Sequence, residues 1–214
     1  MSRLFISTLG FDEAFSIRFL MRNQPQPGDV VLVVSPLPDD ARSMSAYQQL
    51  ETFLTKYLPG VELKKIHVPV DKVYQTIAII AQAINSLKIS NVIVNLSGGM
   101  RILVLEVLAA VKMVFDDSAD IEVELEDKRN VVKLKPSIMD LKMPSDRQIC
   151  ILRAMKELGK EVSLKKIEYM TGIPRSSVYK EIMKMEEEGL VTRIDSKRFT
   201  LTDMGYIWAQ GRGP

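Results

Sequence analysis

Over the first 115 residues, a short run of branched apolar residues gives way four times to a longer stretch. In the longer stretches, apolar residues return every three or four positions. A short apolar run bounded by turn residues reads as a buried strand, and the three-to-four spacing reads as one face of a helix. The pattern predicts strands over Leu4–Ser7, Val30–Val34 and Val61–Val68, and a fourth starting at Asn91. Helices follow over roughly Asp12–Arg22, Ala41–Tyr57, Val70–Leu87 and Arg101–Phe115, the first capped by Asp12. In the third helix Val73, Ile77, Ile80 and Ile84 form the apolar face. Ile121–Leu125 and Val131–Leu134 flank a polar turn and read as a strand pair.

Strands followed by helices, with short turns between, predict an α/β fold: a doubly wound, mostly parallel Rossmann-like sheet covered on both faces. With strand order 3-2-1-4-5-6, the chain reverses direction between strands one and four, and a ligand belongs at their C-terminal ends. Each of those strands runs into a glycine loop, Thr8-Leu9-Gly10-Phe11-Asp12 and Ser97-Gly98-Gly99-Met100-Arg101. This topology sets the two loops side by side.

The pattern changes near residue 135. Residues 136–144 hold two prolines and no periodicity, and are read as a linker between a ligand-sensing domain, 1–135, and a second domain, 145–214. Ser145 and Gln148 form a capping-box pair at the head of a helix whose apolar face is Ile149, Leu152, Met155 and Leu158. Ser163 caps a second helix, Leu164–Met170. Thr171-Gly-Ile-Pro174 is a turn, and Arg175–Glu188 is a third helix. Residues 189–201 read as a β-hairpin, and Thr202 caps a last helix. Helix, glycine turn, helix and basic hairpin together predict a winged helix-turn-helix.

The net charge of +2 says little until it is divided. Residues 141–214 carry 14 Lys+Arg against 10 Asp+Glu, and residues 1–140 carry 15 against 17. The whole basic excess lies in the C-terminal third, an asymmetry that points toward a nucleic-acid partner there. The head of the third helix presents Arg175, Ser176, Ser177, Tyr179 and Lys180, with Lys184 one turn on. All can donate to base edges or phosphates. Arg193, Lys197 and Arg198 on the hairpin, and Ser163 at the head of the second helix, complete the candidate DNA-binding set.

One histidine, His67, and one cysteine, Cys150, leave no metal cluster, triad or internal disulfide. Cys150 sits among Ile149, Ile151 and Leu152 and is expected to be buried. No apolar run reaches the length of a membrane span and the start has no signal-peptide pattern, so a cytoplasmic location with no membrane partner is expected.

In the first domain, adjacent glycines can turn backbone N–H groups outward, the head of the fourth helix adds unpaired amides, and Arg101 adds a fixed positive fork. A tight turn with no ligand is the plainer alternative. The dinucleotide Gly-x-Gly-x-x-Gly pattern and the Gly-x4-Gly-Lys-Ser/Thr loop are both missing, and Ser35-Pro36 stands where a ribose-binding acid would. A phosphodiester held by backbone amides, Arg101 and the hydroxyls of Thr8, Ser35 and Ser97 fits better.

The two glycine loops, in this order and ahead of this second domain, resemble the CRISPR-associated CARF regulators, most closely the archaeal CARF/winged-helix transcription factors. The resemblance covers nearly the whole chain. It implies a transcription regulator of antiviral defence, a homodimer with a cyclic oligoadenylate, most often cyclic tetra-adenylate, across its two-fold axis and double-stranded DNA under its winged helices. By motif it assigns ligand contact to Thr8, Leu9, Gly10, Phe11 and Asp12, and to Ser97, Gly98, Gly99, Met100 and Arg101. The helix after Arg101 is apolar nearly all round, broken by Glu106 and Lys112, and can cover the sheet on one side and a partner on the other. No catalytic residue or cofactor is assigned, because Asp12 is the one carboxylate near either loop and no acid–base pair accompanies it. Two alternatives stay open: a ring nuclease that cleaves its own ligand by attack of a ribose 2′-hydroxyl, and a DNA-binding protein whose first domain only dimerises.

Overall fold

The computed structural model of the protein describes residues 2–38, 40–139 and 143–211. Two compact units divide the chain, Met1–Asp140 and Leu141–Pro214. The first unit alternates β1 (Arg3–Thr8), α1 (Ala14–Asn23), β2 (Val30–Pro36), α2 (Ala41–Tyr57), β3 (Glu62–Val68), α3 (Val73–Leu87), β4 (Asn91–Asn95) and α4 (Arg101–Phe115), then adds β5 (Asp120–Glu124) and β6 (Val131–Leu134). The six strands form one sheet in the order β3-β2-β1-β4-β5-β6. Every pairing is parallel except the antiparallel hairpin of β5 with β6.

Alternation along β1 explains the layering. Leu4 and Ile6 point into a core shared with α3 and α4, while Phe5 points into a second core with α1 and α2. β2 has helices over both faces, and all seven of its residues are buried. β3 is an edge strand, and Lys64 and Lys65 on it discourage pairing with another chain.

Two helix starts differ from the sequence reading. Asp12 does not head α1: its carboxylate accepts the Ala14 amide at 2.8 Å, but the helix begins at Ala14 behind Glu13. α3 begins at Val73 rather than Val70, because Pro69 and Val70 belong to a turn whose carbonyl, Pro69 O, receives the Thr76 hydroxyl at 2.7 Å. Val73, in the first turn, is thereby exposed while Ile80 and Ile84 are buried.

Pairing of buried charge ties α1 to the sheet. Arg18 and Arg22 reach Glu124 at 2.7 and 2.6 Å, and Arg22 reaches Glu122 at 3.4 Å. Glu106 on α4 has no such partner. It is 1 % exposed, and neither carboxylate oxygen meets a hydrogen-bond donor among the described residues. Burial holds its carboxyl above the ordinary 4.5, so the folded chain keeps a proton that the unfolded chain releases. The stability this confers is complete below about pH 4.5 and is lost as the pH rises through the folded-state value. Glu106→Leu removes the unpaired polar group and is expected to stabilise the unit by about 1–3 kcal/mol at neutral pH. Thermal melts of the two proteins check this: the gap between them should widen from pH 4.5 to pH 7, and an unchanged gap would contradict it.

Beyond β6, Pro136–Met139 form a 3₁₀ turn, and the Ser137 amide donates to Asp117 at 2.9 Å. The start of the expected linker therefore packs on the first unit, and residues 140–142 lie outside the described residues. The second unit comprises α5 (Asp146–Leu158), β7 (Val162–Ser163), α6 (Leu164–Thr171), α7 (Arg175–Glu187), β8 (Val191–Arg193), β9 (Arg198–Leu201) and α8 (Asp203–Gln210). Its strands pair antiparallel in the order β7-β9-β8. Leu152, Met155, Ile167, Val178, Ile182 and Phe199 fill one core. The Ser145–Gln148 capping box forms, and Thr202 caps α8. Ser163 occupies the N-cap of α6 but its side chain bonds no helix amide. Cys150 is exposed rather than buried. The buried side of α5 is set by Ile151, Leu152 and Met155, which turns Cys150 outward.

Candidate functional site

The chain reversal falls between β1 and β4, which are hydrogen-bonded neighbours. Their two glycine loops therefore leave the sheet side by side. A Cβ at Gly10 would lie 2.9 Å from Gly99 Cα, and one at Gly98 would lie 3.2 Å from Thr8 O. Gly99 also adopts φ +87°, a region that side chains resist. The glycines are thus required first by the contact of one loop with the other. The same contact leaves backbone, not side chain, at the loop surface.

Met100 is extended and heads α4, and no side chain caps that helix. Among the described residues the amides of Gly98, Gly99 and Met100 meet no acceptor. They face an anion's requirements with the positive end of a helix of 15 residues behind them. Arg101 opens α4, is exposed, and has no carboxylate within ion-pair distance among the described residues. A cation at a helix N-terminus opposes the helix dipole by about 0.3–1 kcal/mol. Its presence there gains nothing for the fold.

Beside the loops lies a cleft of about 510 Å³. Its walls are largely apolar, with Phe11, Phe15, Leu37, Pro38, Val70 and Met100 around the Ser97-Gly98-Gly99 turn. Phe11 is 60 % exposed, and the Arg42 guanidinium stands 5.8 Å from its ring centre. Among the described residues two carboxylates line the cleft, Asp12 and Asp40, and a backbone amide engages each. Asp12 accepts from Ala14, and Asp40 accepts from Ser43 at 2.8 Å, which holds the Asp40 carboxyl below its ordinary range.

The hydroxyls expected to meet a ligand are engaged within the chain. Thr8 is fully buried, and its Oγ1 donates to Gly98 O at 2.5 Å. Ser35 is fully buried beside His67 Nδ1 at 3.2 Å. Ser97 Oγ donates to Asn95 Oδ1 at 2.5 Å and accepts from the Glu124 amide at 2.8 Å. Leu9 is buried. Gly10, Phe11, Asp12, Ser97, Gly98, Gly99 and Met100 line the cleft, while Arg101 stands on the open surface beside it. Asn95, the residue that receives Ser97, is absent from the sequence reading. Its signal was an asparagine ending a buried strand, where an apolar residue is expected.

In the second unit, Arg175, Ser176, Tyr179, Lys180 and Lys184 are exposed along α7, and Ser177 is half-buried. The hairpin arginines are not free. Arg193 pairs with Glu186 at 3.2 Å, and Arg198 pairs with Asp195 and Glu161. These carboxylates hold the Arg198 guanidinium above its ordinary pKa. Lys197 has no ion-pair partner among the described residues.

An α/β domain with two glycine loops at its chain reversal has the crevice in which open parallel sheets receive ligands. Residues 3–135 match the family described as Csa3 CRISPR-associated Rossmann-like domain, and the chain belongs to that family. Residues 143–212 match a second family, the N-terminal domain of the methanogenesis regulatory protein FilR1. No curated protein matches the chain. Among solved structures, Can2 from Sulfobacillus thermosulfidooxidans in complex with cyclic tetra-adenylate aligns at 12 % identity and a TM-score of 0.47, over 98 % of this chain. This chain spans 64 % of the length of that one. Two variants of Thermotoga maritima RuvB align at 12 % identity with TM-scores of 0.28 and 0.26, over 99 % and 100 % of this chain and 80 % and 89 % of theirs. At such scores the likeness fixes neither fold nor ligand. No helix among the described residues is long and apolar enough to cross a membrane.

Proposed function

We propose that this protein is a CRISPR-associated transcription regulator: a homodimer that binds a cyclic oligoadenylate, cyclic tetra-adenylate first among them, in the first unit and double-stranded DNA through a winged helix-turn-helix in the second. One observation carries the ligand half. In a domain of the Csa3 family, unpaired loop amides and a cation that opposes its own helix dipole meet at the chain reversal. A phosphodiester satisfies both. The contact set follows from the cleft lining and its border: the amides of Gly10 to Asp12 and Gly98 to Met100, the exposed Arg101 guanidinium beside them, and Phe11 and Met100 as apolar walls for a base.

A ring of four repeating nucleotides has two identical halves related by a two-fold axis, which suits two copies of one cleft around that same axis. The α4 surface supports a second copy as the partner, since Leu105 and Met113 stand 58 % and 63 % exposed on it. The ligand is bound without being cleaved in this reading, because Asp12 and Asp40, the carboxylates that line the cleft among the described residues, each accept a backbone amide.

For the DNA half, three helices followed by a β-hairpin and a last helix support the winged-helix reading, as does the match to a regulatory protein's N-terminal domain. The head of α7 enters the major groove with Arg175, Ser176, Ser177, Tyr179 and Lys180. Ser163, Lys184 and Lys197 add phosphate contacts, and Arg193 and Arg198 do so by exchanging their carboxylate partners for phosphate.

The test joins the halves. Cyclic tetra-adenylate is titrated into the protein alone and into the protein bound to a duplex selected from a random DNA pool. Linkage requires that ligand and DNA alter each other's affinity by one common factor, about 5- to 150-fold. Equal ligand affinity in both titrations would remove the regulatory reading.

A further inference from the structure

We propose that Asn95 is the positioning residue of the ligand loop: its buried amide, acting through Ser97, aims the Gly98, Gly99 and Met100 amides outward. The inference rests on the reading that this loop receives a phosphodiester, and it adds how the loop is held.

Asn95 ends β4 and is fully buried. Its Nδ2 donates to Ser7 Oγ on β1 at 3.0 Å. Ser7 Oγ in turn lies 2.8 Å from Ser16 Oγ on α1. On the other side of the amide, Oδ1 accepts the Ser97 hydroxyl at 2.5 Å and the Ser97 amide at 3.2 Å. The Ser97 oxygen then accepts the Glu124 amide from β5 at 2.8 Å. One side chain thus ties the loop to β1 and α1, and through Ser97 to β5. Thr8 adds a hold from the far side by donating to Gly98 O. A trans peptide sets its C=O and N–H in opposite directions. Turning Gly98 O inward therefore turns the Gly99 N–H outward. A leucine or valine at position 95 would fill the core as well, but it would leave Ser97 and Ser7 without their shared partner.

The test uses Asn95→Ala, Ser97→Ala, the double variant and Ser97→Thr in the full chain. Three quantities are read: affinity for cyclic tetra-adenylate, hydrogen exchange of residues 97–101 without ligand, and the thermal midpoint. Each single variant is expected to lose about tenfold or more in affinity, as one hydrogen bond lost from the loop's support allows, with faster exchange in the loop. The double variant should bind no worse than the weaker single one, because both cut one connection. Ser97→Thr keeps the hydroxyl and should bind close to wild type. Additive losses would show that Ser97 touches the ligand itself and overturn the proposal. So would wild-type affinity and exchange in a folded Asn95→Ala protein. Should Asn95→Ala fail to fold, Ser7→Ala removes the receiver of the Nδ2 hydrogen, and Ser16→Ala, which removes only the other partner of Ser7, is its control. If wild-type protein binds no cyclic tetra-adenylate, the ligand reading fails by itself, and unchanged loop exchange in the variants would still overturn the positioning role.

Discussion

Arg101→Ala is expected to weaken binding of cyclic tetra-adenylate by about 100-fold or more while leaving the protein folded and slightly more stable. The two effects have separate causes. A hydrogen bond to a charged group contributes about 1.5–3 kcal/mol, and in the proposed homodimer a shared ring would meet two Arg101 side chains. Losing both costs about 3 kcal/mol at the low end, which is more than two powers of ten in affinity. For the fold, the guanidinium is exposed, and it stands at the helix end that repels a cation. Its removal relieves about 0.3–1 kcal/mol per protomer. Calorimetric titration reads the affinity, and a thermal melt reads the stability. Lost binding together with a lowered midpoint would mean that Arg101 supports the fold and would undo the argument.

The second large effect is expected at Gly10. Gly10→Ala places a methyl group 2.9 Å from Gly99 Cα, and a backbone atom cannot swing away as a side-chain tip can. The loops must part, at a cost of about 1–3 kcal/mol. For a chain of this size, that lowers the thermal midpoint by roughly 3–10 °C. Separation also moves the outward amides of both loops, so ligand affinity should fall together with stability. Gly28→Ala is the contrast. It carries φ +91° but meets nothing within 4 Å, so it should destabilise the protein without touching affinity. Equal ligand affinity in the two variants would show that contact between the loops is irrelevant to the site.

Much of this was legible from residue order alone. Strand–helix alternation, with the crossover handedness rule, places β1 beside β4, and that adjacency sets the two glycine loops together. α2 and α4 begin and end where their periodicity does. What could not be read is what one side chain does for another far along the chain. The Thr8, Ser35 and Ser97 hydroxyls look like ligand groups by type. Their partners, Gly98, His67 and Glu124, stand 90, 32 and 27 residues away in sequence and absorb them. The role of Asn95 is hidden for the same reason, since its link to Ser7 spans 88 residues. Charge counting could not show that Glu186, Glu161 and Asp195 already occupy two of the hairpin's cations. Periodicity marked Glu106 as a polar break in α4 but not as a buried one, because the break falls at the margin of the core-facing stripe of Leu103, Val107 and Ala110.

The symmetric sensor is tested most directly by calorimetric titration of cyclic tetra-adenylate into wild-type protein, read for affinity and for stoichiometry. One ring per two chains, with Arg101→Ala abolishing the heat, is the predicted result. A folded protein that takes up no ring, or takes up one ring per chain with Arg101→Ala unaffected, would contradict it.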